Sequence, residues 1–597
     1  MAPPLPRVEK LPHNRGYQFV LDDKPFLILG GELNNSSFSS VEYMRERESS
    51  LKVTNLNTLL GSVSWEQIEP EEGIFDFEEF DKCLEWAREA GFRIVLLWFG
   101  AFKNGTWDDS RDGIVLSEMD CRLKSGMSTY VPHWVKRDVK RFPRVHIADP
   151  SHPTTDRVIG VVSVFNSHLL DSDSRAFAAL LSHIKDFDES YQTVIMVQVE
   201  NEPGILGDSR DRSPGANEAF QSPPPEAVVS YLHSTSNNPP AGLRSLKYPS
   251  KPGKSWEETF GVSKRTDEVF MAYHYARYHN SVAAAGKAVY NLPFYANAWL
   301  LTDNAGLSET LFGDELSSVR APSADDVIKV SGGAAPGVYP SGGAVTHMLP
   351  LWRHFGPDLA FIAPDIYVEE YDTVCQQYAS VGQALFVPEQ RRDENGALWS
   401  WQALGSRGAI GVSPFGIDNI PGNENHYADH YAQLVKAAPF ILQARQEGRR
   451  VEGFHFDRFK AGQKDPSPVK TFNVGEWHLK ISRASIFGHP APGYGIIIHL
   501  AENRFLLLGE GYEVRFESTN QAAVFNGLLV NDEVNVGVDG GLVKDRFMNG
   551  DESVHPVGEV VRMPSRQPDY GGYHIAVNIP SRTRMALAEP YYLVQGE

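Results

Sequence analysis

Two short runs in this sequence end on carboxylates placed where acid–base or nucleophilic chemistry is done. In VIMVQVENEPG the apolar stretch 194–199 runs directly into Glu200-Asn201-Glu202. In ALFVPEQRRD the stretch 384–387 is followed two residues later by Glu389. A carboxyl group emerging from an apolar strand meets low dielectric, which disfavours its charged form and raises its pKa. A general acid that must carry a proton near neutrality needs that environment. By itself a Glu-Asn-Glu triplet is as readily a pair of acids capping a loop. Two acids delivered by different strands change the balance, because one can protonate a departing oxygen while the other attacks carbon or activates water. Breaking a glycosidic bond requires that pairing; a spacing of about 5–5.5 Å gives retention and a wider one inversion. Arg391 and Arg392 follow Glu389, where they either hold it ionised or serve as surface ion-pair partners.

The elements that must hold these acids are legible as alternating patterns. Residues 26–30, 56–61, 93–99, 193–199, 293–298, 359–366, 384–387 and 409–412 read as strands. Most are continuous apolar or β-branched runs, as expected of parallel strands buried on both faces. Helical patterns lie between several of them. Residues 77–90 put Phe80, Leu84 and Ala87 on one face and stop at Gly91, and 267–285 behave similarly. Eight such alternations predict an α/β chain with a (β/α)8 TIM barrel, on whose carboxyl rim the ends of strands four and seven face each other. No GxGxxG turn follows the first strand, so a Rossmann sheet is not favoured. Residues 106–128 and 205–264 form long loops, and SGGAAPGVYPSGG reads as a loop and not a phosphate cradle, since no Gly-Lys-Ser/Thr follows it. From about residue 451 the texture becomes strands separated by polar turns at 502–504 and 509–511, the pattern of an antiparallel β-sandwich. The expected division is a barrel over 1–445, including its lead-in, and a β-sandwich over 446–597. That second unit either binds carbohydrate or flanks the barrel.

Composition narrows the partners. With 56 basic and 76 acidic side chains among 597 residues the formal charge is −20, which repels phosphate backbones and anionic lipid. Neither nucleic acid nor a membrane is an expected partner. Cys83, Cys121 and Cys375 are far apart and show no metal-ligand spacing. His274 and His279 are five apart on a helix, the wrong spacing for a shared metal, so no metal and no cofactor is expected. MAPPLPRVEKLPHNRG lacks an apolar core of a secretory signal; the expectation is a cytoplasmic protein, or a secreted one whose leader was removed. A homodimer is compatible with the sequence, and nothing in it compels one.

Taken together, GGELNNSS, NTLLGSVSWEQIEPEEGIFDF, WFGAFKNG, YVPHWVKRD, ENEPG and VPEQ, in this order, resemble the clan A glycoside hydrolases. More narrowly they resemble the family 35 β-galactosidases, a microbial branch with a C-terminal β domain. The resemblance implies a retaining exo-acting β-glycosidase acting on an oligosaccharide or other glycoside. Glu202 matches the acid/base, Asn201 the residue touching the sugar 2-hydroxyl, and Glu389 the nucleophile; Glu200 becomes a supporting acid. Tyr367, in APDIY, resembles the tyrosine that hydrogen-bonds the nucleophile. Two departures bear on the sugar: Lys103-Asn104 stand where family members carry a galactose-recognising glutamate, and Asn34 stands where a histidine is usual. A β-glucosidase or transglycosylase is therefore the alternative within the family, and a catalytically dead carbohydrate-binding protein the alternative outside it. Trp65 and Phe415 either floor the sugar site or pack in the core. Glu32 and Glu66 end strands, where they can meet hydroxyl groups, with a plain loop acid the alternative for Glu66.

Overall fold

The structure is a computed structural model. It describes residues 3 to 595 except 13–15, 104–129, 150–155, 300–335, 338, 368–369, 422–423, 458–464, 466, 468, 487–488, 492, 549, 556–557, 564–565 and 567–578. Asn104, Cys121 and the 106–128 loop thus lie outside the described residues, as does the side chain of Lys103.

The apolar runs form β1 (Ile28–Glu32), β2 (Thr58–Ser64), β3 (Arg93–Lys103), β4 (Val194–Asn201), β5 (Phe294–Trp299), β6 (Phe361–Ile366), β7 (Phe386–Gln390) and β8 (Gly411–Pro414). They pair in parallel, in sequence order, and close on themselves as β8 meets β1. Each strand buries both faces. Ile28, Leu60, Val95, Leu97, Ile195 and Phe361 fill the interior, while Leu29, Leu59, Ile94, Val197 and Val412 turn outward to the helices. An antiparallel sheet of Arg7–Lys10, Tyr17–Leu21 and Lys24–Phe26 packs Phe19 and Leu21 onto the interior cluster.

The outer ring is α1 (Val41–Val53), α2 (Glu78–Ala90), α3 (Ser167–Asp188), α4 (Lys264–Val289), α5 (Leu349–Phe355), α6 (Tyr371–Ser380), α7 (Glu394–Leu404) and α8 (His426–Glu447). Their ends follow local chemistry. Helix α2 buries Phe80, Leu84 and Ala87 and stops at Gly91, whose φ of 85° favours a residue without a side chain. The Ser263 hydroxyl accepts from Thr266 N to start α4. No helix among the described residues is long and apolar enough to cross a membrane.

After α8 the chain turns at Gly448 into β9 (Val451–His455), β10 (Lys470–Val474), β11 (Trp477–Arg483), β12 (Tyr494–Ala501), β13 (Arg504–Glu510), β14 (Tyr512–Ser518), β15 (Ala523–Val536), β16 (Leu542–Phe547), β17 (Val561–Arg562) and β18 (Met585–Val594). One sheet runs β9-β12-β13-β18-β15-β16 and the other β10-β11-β14-β17. Phe454, Trp477, Leu479, Leu507, Val514 and Phe516 fill the space between them, which is the expected sandwich. It is fused to the barrel and not hung from it. A Cβ on Gly453 of β9 would stand 1.9 Å from the Trp401 carbonyl of α7. Tyr494 packs on Trp401 and His430 at 5.2 and 4.7 Å between ring centres, and Arg584 grips Asp429 of α8 through bonds of 2.6 and 2.8 Å.

Candidate active site

The carboxyl ends of the strands converge on a cluster of acids. Register sets part of it: Asp365, near the end of β6, is the Cα partner of Glu389 on β7. One carboxylate oxygen from each of Glu202, Asp365 and Glu389 lies within 4.8 Å of those of the other two. Glu32, buried at the end of β1, bridges to Phe415 just beyond β8 and adds its charge from across the rim.

Backbone geometry at the end of β4 decides which acid enters this cluster. Regular alternation would send Gln198, Glu200 and Glu202 to one face. Glu200 instead takes a φ of 63° and Glu202 one of 45°. Such backbone costs a glutamate about 1–3 kcal/mol and persists only where its surroundings enforce it. Asn201 rather than Glu200 shares the interior with Gln198, whose amide donates to Asn201 Oδ1 at 2.9 Å. Glu200 turns into the wall, fully buried, and accepts from Ala101 N at 3.1 Å and Phe102 N at 2.7 Å. Beside it stands Asp173 of α3, which receives Trp98 Nε1 at 2.9 Å and Tyr278 Oη at 2.8 Å. Burial pushes the Glu200 carboxyl far above its usual range, and the charge of Asp173 adds to the effect. A Cβ on Gly100 would lie 2.5 Å from Glu200 Oε1, so β3 needs a glycine there. The strongly buried acid that the apolar run predicts is therefore Glu200, with Glu202 half-buried at the mouth.

Asn297 of β5 ties the cluster together. Its Oδ1 accepts from Glu202 N at 2.8 Å, and its Nδ2 donates to Asp365 Oδ2 at 2.7 Å and to Asn201 Oδ1 at 3.2 Å. Asn201 Nδ2 lies 3.3 Å from Glu202 Oε2, to which it donates. Tyr367 donates its hydroxyl to Glu389 Oε1; burial, then the charge of Glu389, raises that phenol well above its usual value, so it stays a donor. Burial raises the Asp365 carboxyl well above its normal range, and Glu389, Glu202 and Glu32 push the same way. The three mouth carboxylates are close enough to one another to chelate a cation.

Several expected residues fall elsewhere. Trp65 is wholly buried, donates Nε1 to Glu69 Oε2 at 2.6 Å and meets Trp134 edge-on, so it is core and offers no face to a sugar. Phe415 is half-buried at the rim. Glu66 pairs with Lys136. Of the two readings for the arginines after Glu389, Arg391 shows the ion-pair one, with Asp393, and Arg392 donates to the Gly416 carbonyl and Asn419. Asn34 holds Asp418 at 2.9 Å. His279 is buried and His274 partly so, and loss of hydration lowers the pKa of both to about 3. Sequence reasoning missed Asp365 and Asn297. Both are single polar residues within strand runs, and the available signal was that each occupies the carboxyl half of a barrel strand.

Comparisons with known proteins bear on the same region. A family model described as Beta-galactosidase, of glycoside hydrolase family 42, matches residues 37–223, and one described as Domain of unknown function (DUF5597) matches 427–557. The human Beta-galactosidase-1-like protein 2 is 35% identical over 85 residues, which are 14% of this chain and 13% of that protein. The Beta-galactosidase of Xanthomonas manihotis is 31% identical over 85 residues, 14% of each. The matched stretch is thus a small part of either relative. A solved β-galactosidase from the haloarchaeon Halorubrum lacusprofundi aligns with a TM-score of 0.43 and 13% identity, over 68% of this chain and 58% of that one. The family-model match is a likeness to a β-galactosidase-like glycoside hydrolase domain over the first part of the barrel. It points to family 42 and not to family 35, the family that the ordered motifs resemble.

Proposed function

We propose that the chain is a retaining, exo-acting β-glycosidase, with Glu202 as acid/base and Glu389 as nucleophile. The observation that carries this reading is the approach of a Glu202 oxygen and a Glu389 oxygen to within 4.8 Å at the barrel mouth. So close an approach of their oxygens favours direct attack on the anomeric carbon; inverting enzymes keep their carboxyl groups about 6.5–9.5 Å apart to admit a water. Glu202 protonates the glycosidic oxygen as Glu389 bonds to C1. Glu202 then takes a proton from water, which displaces Glu389 with net retention. The Tyr367 hydroxyl fixes the attacking carboxylate and favours its charged form. Terminal β-galactose is the favoured sugar, from the description of the matching family model. Membership of family 35 and transfer to sugar acceptors are finer readings of the same chemistry, motivated by the ordered motifs.

The test uses Glu389→Ala. Turnover of an aryl β-galactoside falls roughly 10⁴-fold or more, and azide restores it as a glycosyl azide of inverted configuration. A folded variant that azide does not rescue removes Glu389 from the nucleophile role. Faster cleavage of the matching aryl β-glucoside by the unaltered protein would replace galactose with glucose.

A further inference from the structure

Asp365 has neither of the two roles assigned above, yet it stands between the residues that do. It has no exposed surface, is in register with Glu389, and belongs to the carboxylate cluster with Glu202 and Glu389. Asn297 serves its Oδ2, while Oδ1 is buried and receives no hydrogen bond. The groups facing it are Glu32 from β1, Glu202 from β4, Tyr295 from β5, Tyr367 after β6, Glu389 from β7 and Tyr378 from α6. These are acids and phenols throughout. A charged Asp365 would combine lost hydration, an oxygen without a donor and repulsion from its neighbours. Adding one proton removes the charge and gives the bare oxygen a hydrogen to share with the adjoining Glu202 carboxyl.

We propose that Asp365 is a positioning residue for Glu202: a permanently neutral carboxylic acid whose O–H donates to the Glu202 carboxyl throughout the reaction. The proposal rests on the acid/base reading of Glu202. Before reaction, Glu202 carries its own proton and accepts the Asp365 hydrogen on its carbonyl oxygen. The Glu202 proton then passes to the glycosidic oxygen, the C1–O bond breaks and a Glu389 oxygen bonds to C1. The negative charge left on Glu202 now accepts a charge-assisted bond from Asp365, stronger than the neutral one it replaces. In the second step, Glu202 takes a proton from water while the water oxygen displaces Glu389. Asp365 ends with the proton it began with.

Asp365→Asn keeps a donor without a titratable proton, and Asp365→Ala removes the donor. The Asn variant is expected to keep kcat within about fivefold. The Ala variant loses about 10- to 100-fold, the worth of a hydrogen bond to a charged group, with KM changed less than kcat. Losing a donor to the charged form raises the acid/base pKa, so the basic limb of the kcat/KM profile moves to higher pH in Ala and stays in place in Asn. Infrared difference spectra of the unaltered protein at neutral pH show a protonated-carboxyl C=O band that is absent in Asp365→Asn. Equal damage in both variants, an unmoved basic limb in Ala, or no band lost in Asn would overturn the proposal. Loss of activity on chelation would do so too, since a cation in the cluster requires ionised Asp365. Failure of the unaltered protein to cleave any β-glycoside would instead defeat the function assigned above, while the infrared band still decides whether Asp365 holds its proton.

Discussion

One tripeptide feeds two carboxyl clusters of opposite character. Glu200 goes into the wall between β4, β3, α3 and α4, where backbone amides and the neighbouring Asp173 surround it. Glu202 goes to the mouth, half-buried, with Asp365 and Glu389 across the rim. The wall acids are supplied with donors: Ala101 N, Phe102 N, Trp98 and Tyr278. At the mouth, Asp365 Oδ1 is left bare. Satisfied acids stiffen a structure, whereas acids crowded together with unspent hydrogen-bonding capacity are prepared to act on something else. A residue two positions away in the chain is thus no guide to role; the backbone angle at Glu200 is.

Substitutions on each side should separate the clusters. The largest effect falls at the mouth: Glu202→Ala loses about 10²–10⁴-fold on glycosides with poor leaving groups and far less on activated aryl glycosides. Equal losses on both would deprive Glu202 of the acid role. At the wall, Glu200→Ala strands two buried amides beside Asp173 and costs about 2–5 kcal/mol of unfolding free energy, read by urea titration. The same leaving-group dependence appearing in Glu200→Ala would exchange the assigned roles of the two acids. A gentler probe is Glu200→Gln. Glu200 and Asp173 are both raised on folding, so the folded state holds extra protons above the unfolded carboxyl pKa of about 4. Their contribution is full below that pH and is lost as pH climbs toward their folded values. The Tm of Glu200→Gln should therefore gain on that of the unaltered protein between pH 5 and pH 8, and a constant difference would mean that Glu200 is ionised when folded. Smallest of all, Arg391→Ala should change kcat/KM by less than about twofold, since Arg391 pairs with Asp393. A large loss would return it to the nucleophile.

The sequence carried the barrel because its strands are continuous apolar runs, a pattern set by burial on both faces. It pointed to Glu202 and Glu389 as rim candidates because each lies within three residues of such a run. Trp65 was ambiguous because aromatics after strands serve core and cavity alike, and its indole is enclosed by Glu69 and Trp134. Asp365 and Asn297 were hidden for another reason: their roles come from register between strands 68 positions apart in the chain, and no local spacing encodes register. The outward turn of Glu200 depends on a left-handed residue that is not glycine, which composition does not announce.

The order of strands in the larger C-terminal sheet has a consequence for biosynthesis. Strand β18, which follows every other strand of that sheet in the sequence, lies between β13 and β15. Until it arrives, Phe505 to Leu508 of β13 present an apolar, unpaired margin to the cell. The barrel can close early, but the sandwich waits for its keystone, and that interval is when nascent copies are most exposed to sticking to one another or to capture by chaperones.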